Sequence, residues 1–173
     1  MATLQQNNTT ISTNNTELAS ILNTINNLPS SGSNPNEYMA GFFNDTIEEL
    51  DNEYITYTHS YCICNKSKLK KIRLSGLTTI NGYAISSCTA VHTIEFEILT
   101  KINGVAFNGL TALETLIIRT PSVCTLANAS TLARTKIEGG TGYIYVPDNL
   151  VDSYKSASNW STYASQIKGL SEL

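Results

Sequence analysis

The chain has 173 residues, enough for one compact domain and an appendage. Charged residues make up only 14 % and the net charge is −3, which leaves no basic footprint and argues against nucleic acid as a partner. No apolar run approaches the ~18 residues needed to cross a bilayer, so membrane insertion is not expected.

Residues 1–16 are polar and nearly uncharged, and no leader peptide is expected there. Leu4, Ile11, Leu18 and Ile25 recur at heptad spacing, with Asn7, Asn14, Ile21 and Leu28 three positions on. Asn14 as N-cap and Glu17 at N3 predict a helix over 17–28. A helix this short needs a partner to persist in water. Residues 1–28 therefore read as an oligomerisation or anchoring segment built on Leu4, Ile11, Leu18, Ile21, Ile25 and Leu28, with a trimeric stalk favoured. The alternative is a helix laid against a neighbouring surface. Residues 29–36, with Pro29-Ser30-Ser31-Gly32-Ser33, form a linker. Tyr38, Met39, Phe42 and Phe43 then make the apolar face of a helix that caps the next region over 37–46.

From residue 47 to 142 the sequence repeats. Leu77-Thr78-Thr79-Ile80-Asn81-Gly82-Tyr83-Ala84-Ile85 is followed by Leu99-Thr100-Lys101-Ile102-Asn103-Gly104-Val105-Ala106-Phe107. Leu69, Ile72 and Leu74 become Val91, Ile94 and Phe96, then Leu113, Leu116 and Ile118. A fixed period of this size predicts a stacked solenoid, in which each unit buries its apolar face against its neighbours. Lys71-Ile72-Arg73-Leu74 and Thr93-Ile94-Glu95-Phe96 alternate outward and inward, as one short strand per unit in a parallel ladder requires. Asn81-Gly82 and Asn103-Gly104 are turns, and the repeat breaks after Ile118. Cys62 aligns with Ala84, and Cys88 with Leu110, so both thiols read as core groups. Gly139-Gly140-Thr141-Gly142 marks a loop. Tyr143-Ile144-Tyr145-Val146 reads as the last strand. Residues 143–173 then close the far end, with Asp148 as a helix N-cap and Trp160 as a buried cap residue.

No catalytic constellation is apparent. His92 falls on an outward position, and Gly139-Gly140-Thr141-Gly142 lacks the lysine of a phosphate loop. Cys62-Ile63-Cys64 has one intervening residue where zinc knuckles have two. No metal, no cofactor and no enzymatic activity are expected. The outward strand column is the candidate binding surface: Glu49 and Asp51, then Lys71, Arg73, Thr93, Glu95, Thr115, Ile117, Tyr143 and Tyr145. Ile117 and the two tyrosines are expected to put exposed apolar area at its C-terminal end.

The run Ile80-Asn81-Gly82-Tyr83-Ala84-Ile85-Ser86-Ser87-Cys88-Thr89-Ala90-Val91, echoed by residues 102–113, resembles the BspA-like (treponemal-type) leucine-rich repeats. The tail from Tyr143 to Lys155, with Asn159-Trp160, looks like the terminal segment of short members of that family. The resemblance covers residues 37–173. It implies an α/β repeat solenoid: a leucine-rich-repeat stack with short parallel strands and helical N- and C-terminal caps, preceded here by the helical, coiled-coil-like segment. Large secreted members are surface adhesins. Short ones opening with a segment like Leu22-Asn23-Thr24-Ile25-Asn26-Asn27-Leu28-Pro29 resemble phage-encoded proteins. The implied role is a virion appendage, at the surface of the particle, held by other virion proteins and by homo-oligomerisation, and displaying the repeats to a host cell-surface protein or glycan. A bacterial adhesion module is the runner-up, and a glycan hydrolase the third reading.

Overall fold

The structure, a computed structural model, describes residues 46–173. The expected segment 1–28, the linker 29–36 and nearly all of the expected cap 37–46 lie outside the described residues.

Six parallel strands form the main sheet: β1 (Glu49–Asn52), β3 (Lys71–Leu74), β6 (Thr93–Phe96), β9 (Thr115–Ile118), β11 (Tyr143–Val146) and β12 (Ile167–Gly169). The register is unbroken. Leu50, Ile72, Ile94, Leu116, Ile144 and Ile167 follow one another as neighbouring rungs. All six are buried. Each contributes about 1.5–3 kcal/mol by leaving water. The inward row is therefore what holds the stack in step, since a one-residue slip would turn it toward solvent.

The sequence predicts one strand per unit; the structure has three in each regular unit. Thr79–Ile80 (β4), Lys101–Ile102 (β7) and Thr125–Leu126 (β10) make a second parallel sheet. Ile63–Cys64 (β2), Ile85–Ser86 (β5) and Phe107–Asn108 (β8) make a third. Each unit thus turns through three faces around one core that includes Leu77, Ile80, Ile85, Leu99, Ile102 and Phe107. The turn between the second and third faces is stitched across rungs: Asn103 Nδ2 donates to Asn81 Oδ1 at 3.3 Å, and Asn81 Nδ2 donates to the Thr58 carbonyl. Cys62 and Cys88 are buried and unbridged, Cys62 donating to the Ala84 carbonyl at 3.4 Å.

Where the repeat breaks, the second sheet continues. Thr125 pairs with Lys101, where a strict repeat would offer Val123, so two extra residues are absorbed after Ile118. Thr120 Oγ1 ties this detour down by donating to the Leu99 carbonyl at 2.7 Å. The third face then gives way to a 3-10 turn at Ala129–Leu132, N-capped by Asn128.

The C-terminal region differs from a simple helical cap. It holds strand β11, a six-residue α-helix α1 (Val151–Ser156), three 3-10 turns and strand β12. Tyr143–Val146 is therefore not the last strand. Asp148 does not N-cap a helix either: its Oδ1 accepts from the Ser171 N–H at 3.1 Å and the Ser171 hydroxyl at 3.0 Å. Tyr154 and Trp160 pack edge to face at 5.3 Å. Their polar tips serve the outer edge of β10. The Tyr154 hydroxyl accepts from Cys124 N–H at 2.9 Å, and Trp160 Nε1 donates to the Cys124 carbonyl at 2.6 Å. Asn159 Nδ2 donates to the Leu126 carbonyl at 2.7 Å. Side chains thereby replace the hydrogen bonds that a further strand would make, which protects an otherwise open edge.

Candidate functional site

The outward residues of the main sheet form two rows, because alternate residues of a strand share a face. One row runs Glu49, Lys71, Thr93, Thr115, Tyr143; the other runs Asp51, Arg73, Glu95, Ile117, Tyr145, Lys168. All the candidate strand-face residues are thus brought onto one surface.

Their chemistry differs from the expectation in two ways. First, the charges neutralise one another along the stack. Arg73 donates from Nη2 to Glu97 Oε1 at 2.8 Å and from Nη1 to Asp51 Oδ1 at 3.2 Å. Glu97 and then Asp51 raise the guanidinium's pKa further above its ordinary value. Arg119 donates from Nε to Glu95 Oε1 at 2.6 Å, and Arg73 Nε stands 3.9 Å from the same oxygen. The Glu95 side chain is left only 10 % exposed. Beside these rows, Lys70 bonds Glu48 and Lys136 bonds Glu114, each at 2.8 Å. Those lysines hold both carboxyls below the usual range, Lys70 through its hydrogen bond to Glu48 and Lys136 through its bond to Glu114.

Second, Ile117 is not an exposed apolar patch. It is only 4 % exposed. It lies between Glu95 and Tyr145 in the register. A side chain of short reach between two longer ones on rungs about 4.8 Å apart is overlapped from both sides. What remains at that end is an aromatic–cation tile: Tyr143 and Tyr145 lie 6.3 Å apart, and Lys168 Nζ sits 4.1 Å from the Tyr143 ring centre. Lys168 is not apparent from the sequence, because the helix-like spacing around β12 disguises that strand. Arg119 and Glu97 lie just past their strands, outside the alternation that drew attention to the column.

A second aromatic surface lies away from the strand column. Tyr61 and Tyr83, one repeat apart, stack at 5.5 Å, and Tyr57 meets His59 edge-on at 4.8 Å. Tyr57, Tyr61 and Tyr83 are 57 %, 47 % and 39 % exposed. The sequence carries the signal, since the alignment of Cys62 with Ala84 also puts Tyr61 on Tyr83.

Elsewhere, His92 is half-buried, with Nδ1 3.0 Å from Thr93 Oγ1. Among the described residues, no group of three or more His, Cys, Asp or Glu is placed to hold a metal ion. No described helix is long and apolar enough to cross a membrane.

The family model for the BspA type leucine rich repeat region, in 6 copies, matches residues 2–114 and 43–137. The matched span begins well before the segment in which the repeats are legible by eye, and ends before the terminal tail. No curated protein matches the chain.

Proposed function

Because the chain belongs to the BspA-type leucine-rich-repeat family, we propose that it is a non-enzymatic binding protein, displayed as a phage virion appendage at a fibre, baseplate or capsid-surface position. In this reading residues 1–28 join copies of the chain, as a trimer, or fix them to other virion proteins. The repeat domain faces a host cell-surface protein or glycan. The observation that carries the binding role is the six-stranded outward face, whose rows stay in register from Glu49 to Lys168. A rigid, extended surface of this kind suits recognition, because little order is lost when a partner docks. The self-paired charges make its net field weak, so contact depends on shape and on the Tyr143–Tyr145–Lys168 tile. The virion setting is supported by the likeness of residues 22–29 to the opening of short phage-encoded members.

The test is mass determination in solution of the full chain and of a chain starting at Asn36. The expected result is a trimer for the first and a folded monomer for the second. Monomers in both cases would overturn the stalk. Antibody labelling of purified particles tests the setting. Labelling of a bacterial surface in the absence of phage would favour the adhesion module.

A further inference from the structure

The tyrosine corner between the second and third faces is chemically unlike the rest of the domain, and the geometry points to a binding site there for a neutral oligosaccharide. This rests on the reading of the repeat domain as a binding surface, but uses a different face and does not require a virion setting.

Ion pairs are concentrated on the strand face of the stack. The strand face and its flanks carry Glu48, Asp51, Lys70, Arg73, Glu95 and Arg119, engaged with one another. Residues 54–65, 77–90 and 102–113 hold no Asp, Glu, Lys or Arg. The tyrosine corner lies within the first two of these stretches. Beside the tyrosines in sequence, Thr56 and Ser60 are exposed hydroxyls, and half-buried His59 packs against Tyr57. A pyranose offers an apolar C–H face to stack on an aromatic ring and a rim of hydroxyls for neutral hydrogen-bonding groups. Lys101 is in register with Tyr57 by way of Thr79, two rungs on, and the segments themselves offer neutral hydrogen-bonding groups.

The backbone also holds the rings outward at a cost. Tyr61 and Tyr83 have φ of 60° and 58°, the left-handed region that bulky residues avoid. In the next rung Gly104 takes positive φ, at 48°, and Val105 does not. In the Tyr83 rung Gly82 is adjacent and has no positive φ, so the strain falls on the tyrosine. The two left-handed residues are then fixed to each other and to the next rung, as Tyr61 N–H donates to the Tyr83 carbonyl at 2.8 Å and Tyr83 N–H to the Val105 carbonyl at 2.9 Å. Strained positions that surrounding structure holds in place concentrate at ligand clamps. Here the strain keeps a ready-made ring platform.

Saturation-transfer difference NMR on the full chain tests this, with cello-, chito- and malto-hexaose as neutral probes and oligogalacturonate as the acidic control. The expected result is transfer to the ring C–H protons of at least one neutral probe and none to the acidic one. Tyr61→Gly and Tyr83→Gly should each weaken the apparent affinity about tenfold. Glycine accommodates positive φ, so these variants should keep the native circular dichroism and a cooperative melt. Lys155→Ala, exposed on helix α1, should leave sugar binding intact. The assignment is overturned if no neutral probe shows transfer at about 5 mM, if both folded glycine variants bind as the parent does, or if the acidic probe binds equally. It is also overturned if the variants change the mass of the assembly, which would make the corner a contact between copies. Failure here leaves the expected masses of the full and shortened chains untouched, so the two readings fall separately.

Discussion

Glu95 shows how a residue on a nominally outward position becomes part of the framework. A carboxylate this enclosed needs charged partners, because an unpaired buried charge costs far more than the pair returns. Arg119 supplies the shorter bond, and Arg73 the longer approach. Arg119→Ala should therefore destabilise the domain by about 1–3 kcal/mol, read by urea unfolding, whereas Lys71→Ala, at a half-buried strand-face position outside this ion-pair network, should change stability little. Gly142 makes a second residue-scale case. An added Cβ would stand 2.6 Å from the Glu114 carbonyl oxygen and 2.8 Å from Glu114 Cα. That backbone cannot swing aside, so Gly142→Ala should cost about 1–3 kcal/mol and lower the thermal midpoint. The sequence marked Gly142 as part of a loop; it could not reveal which backbone the loop passes. Ile117 failed for a similar reason. Alternation told which face it occupies, while its cover depends on Tyr145, which follows a loop of unpredictable path.

At the level of elements, legibility tracked length and period. The four-residue strands β3, β6 and β9 carry enough alternation to be seen, and counting repeats sets Leu116 on Ile94 and Ile72, as in the observed register. The two-residue strands of the other faces are too short to show an alternation, and β5 buries both its residues, which is too little to distinguish strand from turn. Strand β12 is hidden because Trp160, Tyr163, Ile167 and Leu170 are spaced as on a helix; a kink at Tyr163 interrupts the 3-10 run, and the backbone turns extended at Ile167. The aromatic residues themselves were legible as cap residues, but their hydrogen bonds to Cys124 were not. Trp160→Phe keeps most of the apolar bulk and removes the donor to the Cys124 carbonyl. It should cost about 1–3 kcal/mol in denaturant melts, more than a loss of packing alone would explain.

For the molecule as a whole, the stack's buried thiols set an alkaline limit. Burial pushes Cys62 up to about 11 and Cys124 up to about 12. An unfolded thiol ionises near about 8.5. Above that pH the unfolded chain releases protons that the native chain retains, so stability falls as pH rises toward 12 and is unaffected by these groups below it. Each thiol can contribute up to about 1.4 kcal/mol per pH unit across that window. Urea midpoints measured from pH 8 to 11 should decline, and a Cys62→Ala, Cys124→Ala double variant should flatten the decline. In the native protein a maleimide should label half-buried Cys64 first, with Cys62, Cys88 and Cys124 following only on unfolding. On the acid side, the lowered pKa values of Glu48 and Glu114 add stability above the unfolded carboxylate range, which is lost as pH falls through their native values. Both pairs are exposed, so salt screens that gain.

The detour between Ile118 and Thr125 has a consequence for how such chains grow. Two surplus residues enter at a corner, and the strands on either side still find their partners. Corners therefore tolerate insertions that edges of the sheet would not, and novelty can accumulate there without recasting the interior. Whole storeys should be equally interchangeable: a tandem copy of residues 77–98 would raise the tower by about 4.8 Å, offering evolution or a designer a taller molecule from a single duplication.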